Sequence, residues 1–136
     1  MRALIVEDDY ASRKLFRAIL VPHGRIDVAV NGQEGVEAFQ LALEEGEPYD
    51  LICLDIMMPE MDGQQTLRAI REIEAERGIL GYGGVKIIMV TALGGQDQVR
   101  LAFREQCEAY LVKPISRDLL LGTVRELGLI PPGAGA

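Results

Sequence analysis

The feature that most constrains this chain is an alternation of two hydrophobic periods. Short apolar runs stand at residues 3–6, 26–30, 51–54, 86–90 and 110–112, bounded by turns or acids. Continuous runs of that length suit strands covered on both faces, as in a parallel sheet. Helix-length amphipathic segments follow at 10–20, 32–45, 64–77, 96–106 and 117–127. In the first of these, Leu15, Ile19 and Leu20 recur at helical spacing opposite Ser12, Arg13, Lys14 and Arg17.

Helix starts are marked chemically. Asn31 with Glu34, and Asp62 with Gln65, have the spacing of a capping box, and Ser116 is placed to cap the last segment. Gly128 is a plausible C-terminal stop. The order is βα repeated five times, which predicts the α/β class and a doubly wound, five-stranded parallel sheet with helices on both faces. Right-handed crossovers leave few topologies, and the flavodoxin-like order 2-1-3-4-5 is the expected one.

With 136 residues, 49% of them hydrophobic, the chain holds one domain with a real core and needs no metal or disulfide staple. Residues 1–127 are read as that domain and 128–136 as a short flexible tail, so the chain is expected to be a stand-alone, single-domain protein. Its net charge of −7 argues against direct binding to nucleic acid or to an anionic membrane. No apolar run approaches the roughly 20 residues of a membrane helix. The acids Glu7, Asp8 and Asp9 cut short the first apolar stretch, so it does not read as a signal peptide. Cys53 and Cys107 stand in apolar contexts without metal-ligand spacing, and are expected to be buried thiols of a cytoplasmic protein. His23, the single histidine, lies between Pro22 and Gly24 and is expected in a loop. The glycine-rich stretch 78–84 lacks the strand before it and the Lys-Ser/Thr after it that a phosphate loop needs, and reads as a connector at the N-terminal sheet edge.

Ligands of open α/β sheets gather at the carboxyl ends of the strands. Those ends carry Glu7-Asp8-Asp9, Asp55, Thr91 and Lys113-Pro114. Singly, each has a structural explanation: Asp8 or Asp9 as a helix cap, Thr91 as a strand end, Lys113 as a solvated charge. Jointly they suggest a site. Two carboxylates ~4 Å apart repel by about 4 kcal/mol at an effective dielectric near 20. A cluster of three therefore calls for a cation, and oxygen-only ligation suits Mg²⁺. With Lys113 and Thr91 beside it, such a pocket would accept phosphoryl oxygens, with the Asp55 carboxylate as nucleophile.

These residues carry a resemblance. Glu7-Asp8-Asp9, the run Leu54-Asp55-Ile56-Met57-Met58-Pro59-Glu60-Met61-Asp62-Gly63, Val90-Thr91-Ala92 and Tyr110-Leu111-Val112-Lys113-Pro114 resemble, in order and spacing, the signature of response regulator receiver domains of two-component signalling. The resemblance covers residues 2 to 127. It implies that Asp55 accepts a phosphoryl group from the phosphohistidine of a sensor histidine kinase or phosphotransfer protein. It implies Mg²⁺ (or Mn²⁺) bound by Asp8, Asp9, Asp55 and the backbone carbonyl of Met57, with Thr91 and Lys113 on the phosphoryl oxygens. It further implies a cis Lys113-Pro114 peptide, and Tyr110 as a switch aromatic that turns inward when Thr91 moves. The surface of segments 96–106, 110–112 and 117–127 would then change for an unknown downstream protein. Such a chain is a phosphoacceptor that assists its own phosphorylation and dephosphorylation, not an enzyme that turns over a separate substrate.

Three departures from the family pattern stand out. Gln106-Cys107 replaces the frequent Gly-Ala before the fifth strand, and the stretch 78–84 is long. Met57 and Leu93, two residues past Asp55 and Thr91, are apolar and cannot orient an attacking water, which predicts a phosphorylated state lasting minutes or more. A haloacid-dehalogenase-like phosphatase would need a second Asp where Met57 stands, and metal acids late in the chain. A silent interaction module with the same fold would leave the acceptor, acids, Thr and Lys without a purpose.

Overall fold

A computed structural model describes residues 1–79, 83–92 and 107–132. Five strands, β1 (Arg2–Val6), β2 (Arg25–Ala29), β3 (Leu51–Asp55), β4 (Lys86–Thr91) and β5 (Ala109–Val112), form one sheet. Every neighbouring pair is parallel and the order is β2-β1-β3-β4-β5, as the alternation predicts. The described helices are α1 (Tyr10–Leu20), α2 (Gly32–Glu44), α3 (Gly63–Glu76) and α4 (Arg117–Glu126). The helix expected at 96–106, with Leu93 and Gln106, lies outside the described residues.

The core divides between the two faces of the sheet. Leu4, Ile52, Leu54, Ile87 and Met89 pack on one side with Phe39 of α2 and Leu67 and Ile70 of α3. Ile5, Leu51, Cys53, Ile88 and Val90 pack on the other with Phe16 and Leu20 of α1 and Leu120 and Val124 of α4. All of β3 is buried, because it lies at the centre of the sheet with helices on both faces. β2 departs from the expected two-sided burial: four of its five residues are not buried and Val28 is exposed, because the strand order leaves it at an edge.

Capping residues act largely as their spacing predicts. Asp62 and Gln65 form a full capping box on α3, and Ser116 accepts from the Leu119 N–H to cap α4. Asn31 caps α2 through the Glu34 N–H, but the Glu34 carboxylate returns to the Val30 N–H rather than completing the box at Asn31. Leu15 turns outward, and Phe16, Ile19 and Leu20 make the buried stripe of α1. At the far end, Gly128 has a φ of 76°, a left-handed turn that lets Leu129 N–H reach the Val124 carbonyl. The chain thereby folds back and Ile130 enters the core. The packed unit therefore extends past the expected boundary at 127. His23 belongs to a 3₁₀ turn, Val21–His23, rather than an irregular loop. The two cysteines are free and buried, and burial is the main force pushing the Cys53 thiol up to about 12 and the Cys107 thiol to about 11.

Candidate functional site

Because the strands are parallel, β1, β3, β4 and β5 all end at one edge of the sheet, and the chemistry stands there. β1 runs straight into Glu7, whose N–H donates to the Ala29 carbonyl at 3.1 Å. Glu7 is thus held as an extension of the strand, and it is fully buried. Asp55, the last residue of β3, is 4% exposed. Its Oδ1 accepts from the Met57 N–H at 3.2 Å, while the next residue, Ile56, donates to the Val90 carbonyl at 2.9 Å. The acceptor strand is thereby tied to β4 just where the site begins. Thr91 ends β4 and is fully buried. Its carbonyl accepts from the Lys113 N–H at 2.7 Å, which fixes where Lys113 leaves β5. The Lys113-Pro114 peptide is cis, as expected.

Three carboxylates converge. Glu7, Asp8 and Asp55 each offer an oxygen, and these lie within 4.8 Å of one another. The trio differs from the expected one: it contains Glu7 and not Asp9. Asp9 is instead the N-cap of α1, its Oδ2 accepting from the Ser12 N–H at 2.9 Å. That hydrogen bond is the main reason its carboxyl is held below the usual range. Opposite the trio stands Lys113, its Nζ 2.5 Å from Glu7 Oε1 and 3.9 Å from Asp55 Oδ2.

The charges are unequal in their response. Burial pushes the Asp55 carboxyl up, the neighbouring Glu7 pushes it further, and Lys113 offsets only part of this. Burial also acts to raise Glu7, but its hydrogen bonds with Asp55 and Lys113 outweigh that, and it lies below the ordinary value. Two buried carboxylates sharing one ammonium resist double ionisation. The Asp55 carboxyl therefore holds its proton more tightly than an ordinary carboxyl does. Asp8 is exposed and opens the trio to solvent. An all-oxygen donor set with one exposed member fits a hard cation that keeps part of its water, as Mg²⁺ does. Nothing in it favours Mn²⁺.

Two further residues complete the edge. Tyr110, on β5, is half-buried against the core, and its hydroxyl is hydrogen-bonded to Thr91. Burial raises the phenol above its ordinary value and the Thr91 bond opposes the rise. Met57 is 52% exposed, two residues beyond Asp55.

This arrangement has known counterparts. The family model of the response regulator receiver domain matches residues 3–125. The chain belongs to this family. Chemotaxis protein CheY of Bacillus subtilis is 34% identical over 125 residues, covering 92% of this chain and 95% of its own length. Hybrid signal transduction histidine kinase B of Dictyostelium discoideum is 35% identical over 132 residues, covering 92% of this chain but 6% of the kinase. Receiver domains of this sequence type thus occur both as nearly whole proteins and as small parts of kinases. Among solved structures, the CheX–CheY complex with BeF₃ and Mg²⁺ from Borrelia burgdorferi matches with a TM-score of 0.81 at 28% identity, over 94% of this chain and 89% of the other. The receiver domain of the histidine kinase CKI1 from Arabidopsis thaliana, complexed with Mg²⁺ and BeF₃⁻, gives 0.79 at 28% identity, over 93% and 89%. As a receiver domain, this chain is a phosphorylation-dependent signalling module of two-component systems and not an enzyme of the turnover kind. Among its described residues, no helix is long and apolar enough to cross a membrane.

Proposed function

We propose that this receiver domain takes a phosphoryl group on Asp55 from the phosphohistidine of a sensor histidine kinase or phosphotransfer protein, and signals through the changed surface. The observation that carries the reading is the Asp55 carboxylate, buried at a strand end with two other carboxylates and the Lys113 ammonium within reach. The Glu7, Asp8 and Asp55 carboxylates and the Met57 carbonyl would hold Mg²⁺, with Asp9 kept as a helix cap. The ion, when bound, supplies positive charge that keeps Asp55 ionised and screens it from the incoming phosphoryl oxygens.

In the transfer, a carboxylate oxygen of Asp55 forms the new O–P bond as the N–P bond of the donor breaks, and the electron pair remains on the imidazole nitrogen. Lys113 leaves its contact with Glu7 for a phosphoryl oxygen, and the Thr91 hydroxyl donates to another. Such fixed donors are most of what phosphoryl transfer requires. Because Tyr110 is hydrogen-bonded to Thr91, a shift of Thr91 changes what holds the ring. The surface around β5 and α4 would change with it and recruit or release a downstream protein. The acceptor assists its own dephosphorylation and acts in the cytoplasm, a reducing setting suited to two free buried thiols.

The test is incubation with a small acyl phosphate and Mg²⁺, followed by intact-mass measurement. One phosphoryl group per chain, abolished in Asp55→Ala and by chelation, is the expected result. Continuous release of phosphate with no accumulating adduct would instead indicate a phosphatase, and neither adduct nor release a silent interaction module.

A further inference from the structure

Arg13, a residue outside the acid–threonine–lysine constellation, holds the loop that carries two of the three carboxylates. From α1 its guanidinium reaches back to the backbone of that loop: Nη1 donates to the Glu7 carbonyl at 3.0 Å and lies 3.3 Å from the Asp8 carbonyl. Helix geometry explains the reach, since side chains lean toward the N-terminus of their helix and a long one covers the preceding turn. Its own N–H donates to the Asp9 carbonyl at 2.9 Å, so main chain and side chain together engage residues 7, 8 and 9. The guanidinium also lies over the Tyr10 ring, 5.6 Å from its centroid, a further contact that restrains it.

The loop needs such a tie. Three consecutive acids leave β1, and two must turn toward Asp55 while the third caps α1. Carboxylate repulsion drives residues 7 and 8 away from Asp55, and Lys113 is drawn closely to the Glu7 side chain, 2.5 Å away, and stands 3.9 Å from Asp55. One guanidinium nitrogen carries two N–H donors in a fixed plane, enough to serve the two adjacent carbonyls at once. We infer that Arg13 is a positioning residue for the acid pocket, fixing the Glu7-Asp8 backbone so that their carboxylates meet Asp55 in the geometry a divalent cation requires. This deepens the proposed function and rests on it.

The experiment compares the full chain with Arg13→Met, Arg13→Lys and Arg17→Met, the last removing an equal charge one turn further along α1. Isothermal titration gives the Mg²⁺ dissociation constant, and phosphorylation by a small acyl phosphate is followed against Mg²⁺ concentration. Arg13→Met is expected to weaken Mg²⁺ binding about tenfold, as loss of an outer contact to a metal ligand does. The Mg²⁺ needed for half-maximal phosphorylation rises in parallel, while the rate at saturating Mg²⁺ is largely kept. Arg13→Lys falls between, and decides the matter alone if the Met variant does not fold. Arg17→Met stays near wild type. Unchanged Mg²⁺ affinity in both Arg13 variants overturns the inference, as does an equal loss in Arg17→Met, which would make the effect one of net charge. A wild-type chain that binds no Mg²⁺ and takes no phosphoryl group overturns the proposed function itself, a result distinct from either.

Discussion

At the scale of single residues, the site is governed by how Asp55, Glu7 and Lys113 divide their charge. Asp55 is raised by burial and by Glu7, so the folded chain binds its proton more tightly than the unfolded chain does. Between the ordinary carboxylate value near 4 and the raised one, the native state holds more protons, and this contribution to stability falls as pH rises. Glu7 has the opposite sign: its value is lowered, so its contribution is present above the ordinary range and lost as pH falls through the folded value. Asp55→Asn keeps the shape and removes the proton requirement. Urea unfolding of the metal-free chain near pH 8 should show it more stable by about 1–2 kcal/mol, with the Asp55 part of the pH dependence gone. For the same reason Mg²⁺ affinity should increase with pH, since the ion competes with the Asp55 proton.

Under the proposed function, Met57 is expected to bear on a different quantity, the lifetime of the acyl phosphate. Its side chain is half-exposed beside the acceptor and offers no hydrogen bond to a water. Phosphate release from the purified phosphoprotein is expected over minutes or longer. Met57→Asn, which can orient the water, should shorten that time about tenfold, a modest share of what positioned proton-transfer groups supply. Loss of the wild-type phosphoryl group within seconds would contradict the assignment.

At the scale of elements, the junction between β3 and α3 couples folding to the site. Gly63 opens α3 directly against the acceptor strand: a Cβ there would lie 2.3 Å from the Asp55 carbonyl oxygen and 2.7 Å from Ile56 Cα. Those atoms are backbone and cannot yield without moving Asp55. Gly63→Ala should therefore cost more than about 2 kcal/mol in urea unfolding and weaken Mg²⁺ binding together. Asp62→Ala, which only opens the capping box, should cost about 1 kcal/mol and leave the affinity near wild type.

The same scale explains what the sequence disclosed. Strands and helices were legible because their periods differ, and Asp55, Thr91 and Lys113 because each sits where a strand must end. Which of Glu7, Asp8 and Asp9 face Asp55 is not legible, because three acids in a row give no period to sort them; the fold brings Glu7 and Asp8 there. A local signal existed all the same: a helix beginning at Tyr10 makes Asp9 its N-cap, with the Ser12 N–H three residues on as its partner. A carboxylate so occupied is a poor candidate ligand. Leu15 was misassigned because adjacent apolar residues at 15 and 16 fit the stripe almost equally, and packing against the sheet selects Phe16.

At the scale of the whole molecule, the two edges of the sheet have different work. The carboxyl edge carries the charge-strained site, whereas the opposite edge carries a satisfied polar network. There Arg71 Nη1 donates to Glu74 at 2.7 Å and to the Val85 carbonyl at 2.9 Å, and Nη2 reaches Glu108 at 2.8 Å. Glu74 accepts from the Val85 N–H and Glu108 from the Ile87 N–H, so α3, β4 and the start of β5 are clamped together. None of this was readable in the chain, since Arg71 and Glu108 are 37 residues apart and meet only in the fold. Glu74 is 4% exposed, and removing Arg71 would take the guanidinium away from its buried charge. Loss of one partner from such a pair costs about 3–5 kcal/mol. Arg71→Met should accordingly lower the unfolding free energy by about 3 kcal/mol, the low end because Arg71 itself is partly exposed. Because the network touches neither the carboxylate trio nor Lys113, Mg²⁺ affinity and the phosphorylation of Asp55, measured where the variant remains folded, should stay within about twofold of wild type, as well-separated sites behave. A large loss of affinity in the folded variant would show that the two edges are coupled through β4, and the division of labour across the sheet would fail.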